Sequence, residues 1–266
     1  METQLKLSGL VGLFCLLLLS CGDKTGDEAD DSDNIDTNDS DTASDSGTDV
    51  DSESDTPSET LDATPLEDVS VILANTYALD EIPAANWTPS GVGAELGGYV
   101  PIFAFTVVEI AQSALTTSMG TMNDGVQDMC SATASCSGTI ADNPDFLIGP
   151  TNLETVIEGN GAFEVATIHD LSISGSLVNG GDAFIDGTLK ATVDFRDIYE
   201  LFTIMFTDPT PEKICNTAPT MGFACEECEH DGELFCMHLT ASNVTGQVVS
   251  GLQLTEVVAA SAECAE

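Results

Sequence analysis

The chain has few basic residues. Only 5 of its 266 residues are Lys or Arg, against 46 Asp or Glu, and the formal net charge at pH 7 is −41. Nucleic-acid binding requires clustered Lys and Arg side chains that face the phosphates, so this composition argues against nucleic acid as a partner. The same composition argues against electrostatic adhesion to an anionic lipid surface.

Tryptophan is also scarce, and Trp87 is the only one in the chain. One interpretation of an isolated tryptophan is a platform on which a sugar ring stacks. Burial in the core is the interpretation that we prefer, because tryptophan side chains are mostly buried.

The apolar run near the N-terminus is short for a transmembrane helix, which needs about 20 apolar residues. Residues 7–20 read LSGLVGLFCLLLLS, follow Lys6 and precede a long polar segment. A run of this kind is typical of the central part of a signal peptide. The sequence therefore predicts an exported protein whose signal peptide comprises residues 1–20.

The end of this run carries a more specific signal. Leu18-Leu19-Ser20 places an aliphatic residue, a tolerant position and a small residue before Cys21, and this pattern resembles the lipobox of bacterial lipoproteins. The resemblance implies that the Cys21 thiol receives a diacylglyceryl group and that Cys21 becomes the acylated first residue. Two or three acyl chains then anchor the protein stably, at about 0.8 kcal/mol per buried methylene. An ordinary signal peptide with an incidental cysteine is the alternative.

The residues after Cys21 bear on which membrane holds the anchor. In enterobacterial lipoproteins an Asp directly after the acylated cysteine favours retention in the inner membrane. Here Gly22 follows Cys21, and Asp23 comes one place later. The resemblance therefore implies a lipoprotein in the outer membrane of a Gram-negative bacterium.

Residues 22–68 consist mainly of Asp, Ser and Thr, with Lys24 as their single base. Their few apolar side chains cannot offset the entropy of ordering, so a disordered acidic tether is predicted for residues 21–68. The ends of a flexible coil of this length lie about 35–40 Å apart on average. Calcium binding by residues 49–55 is the alternative, but Ser54 stands where a calcium loop of the EF type needs glycine.

The composition changes at Asp68, and residues 69–266 are predicted to form one domain. Strand-like stretches occur over 99–110, 233–241 and 246–258, although the first of them also fits a helix. Many glycine-containing turns accompany these stretches. We therefore predict a mainly β fold, a single β-sandwich or barrel-like domain with one or two short helices, stabilised by disulfides.

A hairpin is the clearest element of this domain. Residues 163–177 and 183–195 alternate polar and apolar side chains, and glycines lie in the turn between them. The second strand is predicted to turn Ala183 and Ile185 towards the core. Because the first strand interrupts its alternation, a bulge is predicted near residues 166–170.

A short helix is predicted directly after the hairpin. Asp197 would cap its N-terminus, and Glu200 three residues later would complete a capping box. The apolar face of the helix would consist of Ile198, Leu201, Phe202 and Met205.

Of the nine cysteines, all but Cys15 and Cys21 belong to the predicted domain. In an exported protein their expected state is the disulfide, because the compartment is oxidising. The candidates are Cys130, Cys136, Cys215, Cys225, Cys228, Cys236 and Cys264. Cys130–Cys136 is predicted as a local bridge and Cys228–Cys236 as a bridge across a turn, while the other pairings stay open.

Metal binding is the alternative for the C-terminal cysteines. The side chains of types that bind zinc are Cys225, Cys228, His230, Cys236 and His238. A zinc site usually has two paired ligand spacings, whereas this segment has a single C-x-x-C and lies in an oxidising compartment. Disulfides are therefore preferred, and no cofactor is predicted.

No catalytic motif stands out in the sequence. His169 precedes Asp170, but no serine occupies the nucleophile-elbow pattern G-x-S-x-G. The order of lipobox, acidic tether and Cys-containing β domain resembles outer-membrane lipoproteins of unknown function. The prediction is a non-catalytic binding or structural module, anchored in the envelope, with an unknown protein or glycan partner. An exported hydrolase with an unrecognised site is the alternative.

Overall fold

The structure is a computed structural model of the chain. The residues that it describes are 66, 68–95, 100–141, 143–159, 162–204 and 206–265, all within the unit Pro57–Glu266. The predicted signal peptide, Cys21 and all of the predicted tether except Leu66 and Asp68 lie outside these residues, as does Met205 of the predicted helix. By length and hydropathy, none of the helices in the described ranges qualifies as a membrane span.

In the described part of the chain, ten antiparallel strands form one sheet. They are β1 (Thr76–Leu79), β2 (Trp87–Thr88), β3 (Ile102–Ala111), β4 (Ala114–Asn123), β5 (Val126–Gln127), β6 (Ala134–Ile140), β7 (Asp145–Gly159), β8 (Ala162–Val178), β9 (Ala183–Asp194) and β10 (Cys236–Val248). Neighbours follow the order β1-β3-β4-β6-β7-β8-β9-β10, and β10 pairs back with β1. The sheet therefore closes on itself. The predicted mainly β fold is confirmed, and the closed sheet is its barrel-like form.

Short helices accompany the sheet. Those described are α1 (Ser90–Glu95), α2 (Phe195–Ile198), α3 (Pro211–Thr217) and α4 (Ala262–Ala265), together with several 3₁₀ turns. Helices α2 and α3 belong to the excursion that the chain makes between β9 and β10. Within the segment 99–110, which fits a strand or a helix, residues 102–110 belong to strand β3.

The short strand β1 closes the sheet. Tyr77 lies opposite Phe105 of β3 on one side and opposite Val248 of β10 on the other. Immediately after β10, the Val249 N–H donates to the Thr76 carbonyl at 2.8 Å. Backbone pairing therefore continues on both sides of β1, and neither of its edges is left open.

Aromatic rings fill the interior of the closed sheet. The four rings are Tyr77, Phe105, Phe146 and Phe184, each at most 5% exposed. Tyr77 stacks on Phe105 with ring centroids 5.1 Å apart, and Phe146 meets Phe184 edge to face at 5.3 Å. Burial raises the pKa of Tyr77 to about 12, and its hydroxyl donates to the Gly181 carbonyl at 2.5 Å. These contacts add to the free energy gained from area burial.

The predicted hairpin is present as β8 and β9, which a short 3₁₀ turn joins. Its bulge lies between His169 and Ser172, where the pairing with β9 shifts and Asp170 has a φ of 52°. The extra residue changes which side chains face inwards, so that Ile168 before it and Leu171 after it are both buried. This explains why the alternation in the sequence is interrupted at this point.

The orientation predicted for the start of β9 is wrong. Phe184 is fully buried, whereas Ala183 and Ile185 are only partly buried. A further shift in the pairing with β8 and a φ of 52° at Asp186 reset the alternation inside the strand. The inward-facing residues therefore change from even to odd numbers along β9.

The helix predicted after Asp197 is wrong in its position and type: α2 ends at Ile198, 3₁₀ turns follow over Tyr199–Ile204, and the N-terminal cap is a different residue. The Asp194 carboxylate accepts from the Arg196 N–H at 2.8 Å, so Asp194 caps the helix. Asp197, the predicted cap, accepts instead from the Thr167 N–H of β8 at 3.2 Å. After Ile198 the chain continues in 3₁₀ turns. The helix begins directly at the end of β9 because the last residue of that strand supplies the cap.

The two C-terminal strands predicted over 233–241 and 246–258 are a single strand. Strand β10 continues past Asn243, which has a φ of 52° at a shift in the pairing with β9. After Val248 the chain leaves the sheet, and residues 249–261 form no regular secondary structure. The second predicted strand is therefore wrong beyond its first three residues.

Candidate functional site

The outer face of β8, β9 and β10 brings together the histidines of the chain. His169 of β8 and His238 of β10 lie opposite Thr192 of β9, one on each side. The Thr192 hydroxyl and His238 Nδ1 are 2.9 Å apart. His230 stacks on His169 with ring centroids 4.8 Å apart. The sequence contains three histidines, and all of them lie in this region.

Strand alternation places these side chains on the outside. Val193 and Met237, which neighbour Thr192 and His238 in sequence, are buried in the core. Since successive side chains of a strand point to opposite faces, Thr192 and His238 point away from the interior. The same register places Asp194 opposite Cys236, at the end of β9 where the chain leaves the sheet.

Arg196, the only arginine of the chain, lies at the centre of a polar cluster beside this face. Its Nη2 lies 2.5 Å from Asp194 Oδ2 and 2.7 Å from Asp231 Oδ2. The same nitrogen lies 3.2 Å from Nε2 of His230, and the guanidinium carbon is 5.3 Å from the centroid of the Phe235 ring. We call Asp194, Arg196, His230 and Asp231 the arginine cluster.

Charge is compensated inside the arginine cluster. The Asp194 side chain is 5% exposed, against 31% for Arg196. Hydrogen bonding to Asp194 raises the pKa of Arg196 above its ordinary value. The pKa of Asp231 is lowered, first by the hydrogen bond that its carboxylate accepts from the Glu233 N–H and then by Arg196. The guanidinium therefore stabilises two carboxylates, one of which is almost fully buried.

Three disulfides lie within the described ranges: Cys130–Cys264, Cys215–Cys225 and Cys228–Cys236. The last is the bridge preferred from the sequence. The predicted Cys130–Cys136 bridge is wrong, because Cys136 is a free thiol. It lies on β6 opposite Thr117, inside the sheet, and burial raises its pKa. The partner of Cys130 comes instead from the C-terminus of the domain.

Of the five residues considered as metal ligands, the structure brings three together. The ligand atoms of Cys228, His230 and Cys236 lie within 4.8 Å of one another. Cys225 is bonded to another cysteine, and His238 lies at hydrogen-bond distance from a threonine hydroxyl. The five residues are therefore divided among three environments: the cluster of Cys228, His230 and Cys236, the disulfide of Cys225, and the contact of His238 with Thr192.

The guanidinium of Arg196 stands beside these three residues. Its Nη2 lies 3.7 Å from the Sγ of Cys228 and 3.2 Å from Nε2 of His230. A metal-binding cysteine must be a thiolate, and the sulfurs of a disulfide carry no such charge. With the bridge to Cys236 formed, the arrangement acts as an ion-pair cluster that attaches residues 226–236 to the sheet.

The sequence reasoning did not single out Arg196 and Asp194. The signal that was available is composition, because a lone arginine two residues after an aspartate is conspicuous in a chain with so few bases. The stacking of His169 on His230 had no local signal, since the two residues are distant in sequence.

A shallow, open cavity of about 320 Å³ lies where the chain leaves β10. Its lining is uncharged and consists of Ala74, Asn75, Thr76, Val248, Val249, Gly251, Leu252 and Gln253. It shares no residue with the arginine cluster. The lining holds no Asp, Glu, His, Cys or Ser side chain, and Thr76 supplies its one side-chain hydroxyl.

Trp87 is part of the core. It is 3% exposed and lies on β2 opposite Ala241 of β10. Its Nε1 is the one buried side-chain nitrogen or oxygen in the described residues without a hydrogen-bond partner. The sugar-stacking interpretation is therefore wrong, because neither face of the ring is available to a sugar.

We compared the chain with protein families, curated proteins and solved structures. The chain matches no protein-family model, no curated protein and no solved structure.

Proposed function

We propose that the protein is a lipoprotein of the bacterial cell envelope, anchored through Cys21 in the outer membrane of a Gram-negative bacterium. Its β domain is a non-catalytic module that binds a protein or glycan partner or supports the envelope structurally. The acidic segment between them holds the domain away from the membrane.

The filled interior of the closed sheet is the observation that carries the module part of this proposal. Closed sheets that bind small molecules enclose a cavity lined by apolar and a few polar groups. Here the rings of Tyr77, Phe105, Phe146 and Phe184 contact one another inside the sheet. Such a domain offers its outer surface to a partner.

The disulfides support export. Disulfides persist in oxidising compartments and are rare in the reducing cytosol. Of the three bridges in the described residues, Cys215–Cys225 lies in the excursion between β9 and β10, Cys228–Cys236 joins that excursion to the start of β10, and Cys130–Cys264 attaches the residues after β10 to the sheet. Their presence fits a chain that is exported by means of the signal peptide predicted at residues 1–20.

Fatty-acid labelling tests the anchor. The full chain is produced in a Gram-negative host fed with labelled palmitate, together with Cys21→Ala and, as a matched control, Cys15→Ala in the preceding apolar run. We expect label in the wild type and in Cys15→Ala, and none in Cys21→Ala, which should leave the membrane fraction. An unlabelled wild type, or label that persists in Cys21→Ala, would overturn the proposal.

An apolar fluorescent dye tests the filled interior. The native protein should give no saturable rise in dye fluorescence, whereas the same protein unfolded to a compact acid state should give one. Saturable binding to the native protein, lost in a Phe184→Trp variant that overfills the interior, would show an internal ligand site and contradict the module.

A further inference from the structure

We infer that residues 249–264 form a redox-releasable strap: a dithiol reductant opens Cys130–Cys264 before the other two disulfides and frees this segment from the outside of the sheet. We call residues 249–264 the strap. The inference concerns the folded domain alone and does not rest on the anchor at Cys21.

The first half of the strap is held by side chains of the sheet. The Leu254 N–H donates to the Thr106 hydroxyl of β3 at 3.3 Å. The Gln127 side chain makes two bonds to the Thr255 backbone, each of 2.7 Å, one as donor and one as acceptor. These bonds replace the backbone ladder that a strand would form, so the segment crosses the sheet without joining it.

The second half of the strap runs to the disulfide. The Thr133 N–H donates to the Val257 carbonyl at 2.9 Å, and the Val257 N–H donates to the Thr133 hydroxyl at 2.9 Å. The Ser261 N–H then donates to the Cys130 carbonyl at 2.8 Å, three residues before Cys264. The covalent bond therefore closes a series of separate hydrogen bonds near the end of the chain.

The strap covers part of the outer face of β1, β3 and β4. The Thr76 hydroxyl donates to the Leu252 carbonyl at 2.8 Å and lies 2.7 Å from the Thr106 hydroxyl. Both threonines are buried. Leu254 lies over Gly120, where an added Cβ would be 3.7 Å from its Cδ1. Lifting the strap would expose this polar strip of the sheet to a partner.

Exposure distinguishes Cys130–Cys264 from the other bridges. Cys264 is exposed and Cys130 is partly exposed, whereas both cysteines of Cys228–Cys236 are at most 1% exposed. Cys215 and Cys225 are partly exposed, as Cys130 is, so the exposed Cys264 is what distinguishes its bridge from Cys215–Cys225. Thiol–disulfide exchange requires a thiolate to reach a sulfur, so the attack should occur first at Cys264.

The way in which the strap is attached also favours its release once Cys130–Cys264 opens. Once Cys130–Cys264 opens, the strap is held to the sheet by its separate hydrogen bonds and by its covalent continuation from β10. The cysteines of the other two bridges lie 10 and 8 residues apart; Cys215, Cys225 and Cys228 lie in the excursion between β9 and β10, and Cys236 is the first residue of β10, so both ends of this segment stay fixed to the sheet. A segment outside the sheet that is held by exposed hydrogen bonds opens at a low free energy, so opening of the bridge favours release of the strap.

The chemistry balances with a dithiol as reductant. One thiolate of the dithiol attacks the Sγ of Cys264, the bond to Cys130 breaks, and the Cys130 thiolate takes up a proton. The second thiolate then attacks the dithiol's own sulfur in the mixed disulfide and releases Cys264, which is protonated in turn. The protein gains two electrons and two protons, and the dithiol is oxidised to its disulfide.

Native-state alkylation with mass spectrometry tests the order of opening. The wild-type protein is treated with increasing dithiothreitol, quenched with iodoacetamide at intervals and digested. We expect alkylation of Cys130 and Cys264 at least ten-fold faster than that of the other two pairs. Equal or faster alkylation of Cys215–Cys225 or Cys228–Cys236 would overturn the inference.

Hydrogen exchange on the same samples tests the release. Amides of residues 253–261 should lose protection when Cys130–Cys264 opens, while those of β8 and β9 keep theirs. Unchanged protection of the strap after reduction would also overturn the inference. Because the dithiol acts on the folded wild type, the result does not depend on whether a Cys264→Ser variant folds.

A variant checks the bonds that hold the strap. Gln127→Ala removes both side-chain bonds to Thr255, and Gln253→Ala is the matched control on an exposed glutamine of the strap. Gln127→Ala should hasten loss of strap protection after reduction, and Gln253→Ala should not. Equal rates for both variants would contradict the arrangement described above.

Discussion

The guanidinium of Arg196 holds the buried carboxylate of Asp194, with Nε 2.9 Å from Oδ1 and Nη2 2.5 Å from Oδ2. Asp194 is the last residue of β9 and the cap of α2, so this ion pair lies where the chain leaves the sheet. The same nitrogen contacts Asp231, just before the chain returns as β10. One arginine therefore ties together both ends of the excursion between the two strands.

Arg196→Met should destabilise the domain. It leaves the Asp194 carboxylate buried without its partner, and breaking a buried ion pair from one side costs about 3–5 kcal/mol, which we reduce to about 2–4 because Arg196 is partly exposed. Urea unfolding measures the loss. Adding Asp194→Asn to Arg196→Met should recover part of it.

The exposed pair Lys213–Asp208, with an N–O distance of 3.6 Å, supplies the control for this experiment. Lys213→Met should change the free energy of unfolding by less than about 1 kcal/mol, as is usual for surface pairs. If Lys213→Met and Arg196→Met lower the free energy of unfolding by the same small amount, Arg196 does not stabilise the buried carboxylate of Asp194.

Glu164→Gln should stabilise the domain at pH 7. Desolvation raises the pKa of Glu164 above the ordinary 4.5, and the neighbouring Glu200 raises it further. The pKa of Glu164 is therefore higher in the folded state than in the unfolded state. Its contribution to stability is fully present below the unfolded-state pKa and is lost as pH rises through the folded-state pKa. The variant removes that loss, so its gain in melting temperature should disappear near pH 4.

Glu109→Gln, a change on an exposed residue of β3, controls for the removal of one negative charge from a very acidic chain. Thermal unfolding from pH 4 to pH 7 compares the two variants. An equal gain for both at pH 7 would mean that general charge repulsion, and not the Glu164–Glu200 contact, causes the effect.

Phe184→Ala should cost about 3–5 kcal/mol, because it removes a fully buried ring and leaves a cavity among the remaining aromatic side chains. Phe163→Ala, at a partly buried position of β8, should cost less than half as much. Urea unfolding of both variants provides the comparison. Similar costs at the two positions would contradict a packed interior.

Zinc should not stabilise the protein while its disulfides are intact. The sulfurs of Cys228 and Cys236 are bonded to each other, and the positively charged Arg196 guanidinium lies 3.2 Å from Nε2 of His230. Thermal unfolding with increasing zinc, without reductant, should show no saturable rise in melting temperature. A rise that saturates at one equivalent would support the metal alternative.

The sequence predicted what depends on local pattern. Alternation of apolar residues identified β8 and β9, and the break in that alternation located the bulge at Asp170. It could not give the orientation of Phe184, because a second positive φ at Asp186 is adopted by an aspartate and leaves no glycine signal. A helix capped by Asp197 was expected, whereas α2 is capped by Asp194, three residues earlier, and 3₁₀ turns follow where the helix was expected.

The features that the sequence could not predict depend on distant parts of the chain. Cys130 and Cys264 are 134 residues apart, so their pairing requires the path of the strap across the sheet. The arginine cluster likewise requires the chain to return beside β9 before Asp231 can reach Arg196. Composition showed only that arginine and histidine were rare, and not that they would meet.

Intact-mass spectrometry of the protein extracted from membranes tests the central claim, the anchor at Cys21, most directly. We predict a chain that begins at Cys21, carries the mass of two or three acyl chains, contains three disulfides and has a single free thiol, Cys136, reactive only after unfolding. A chain that begins at another residue, or one without added lipid mass, would contradict the account.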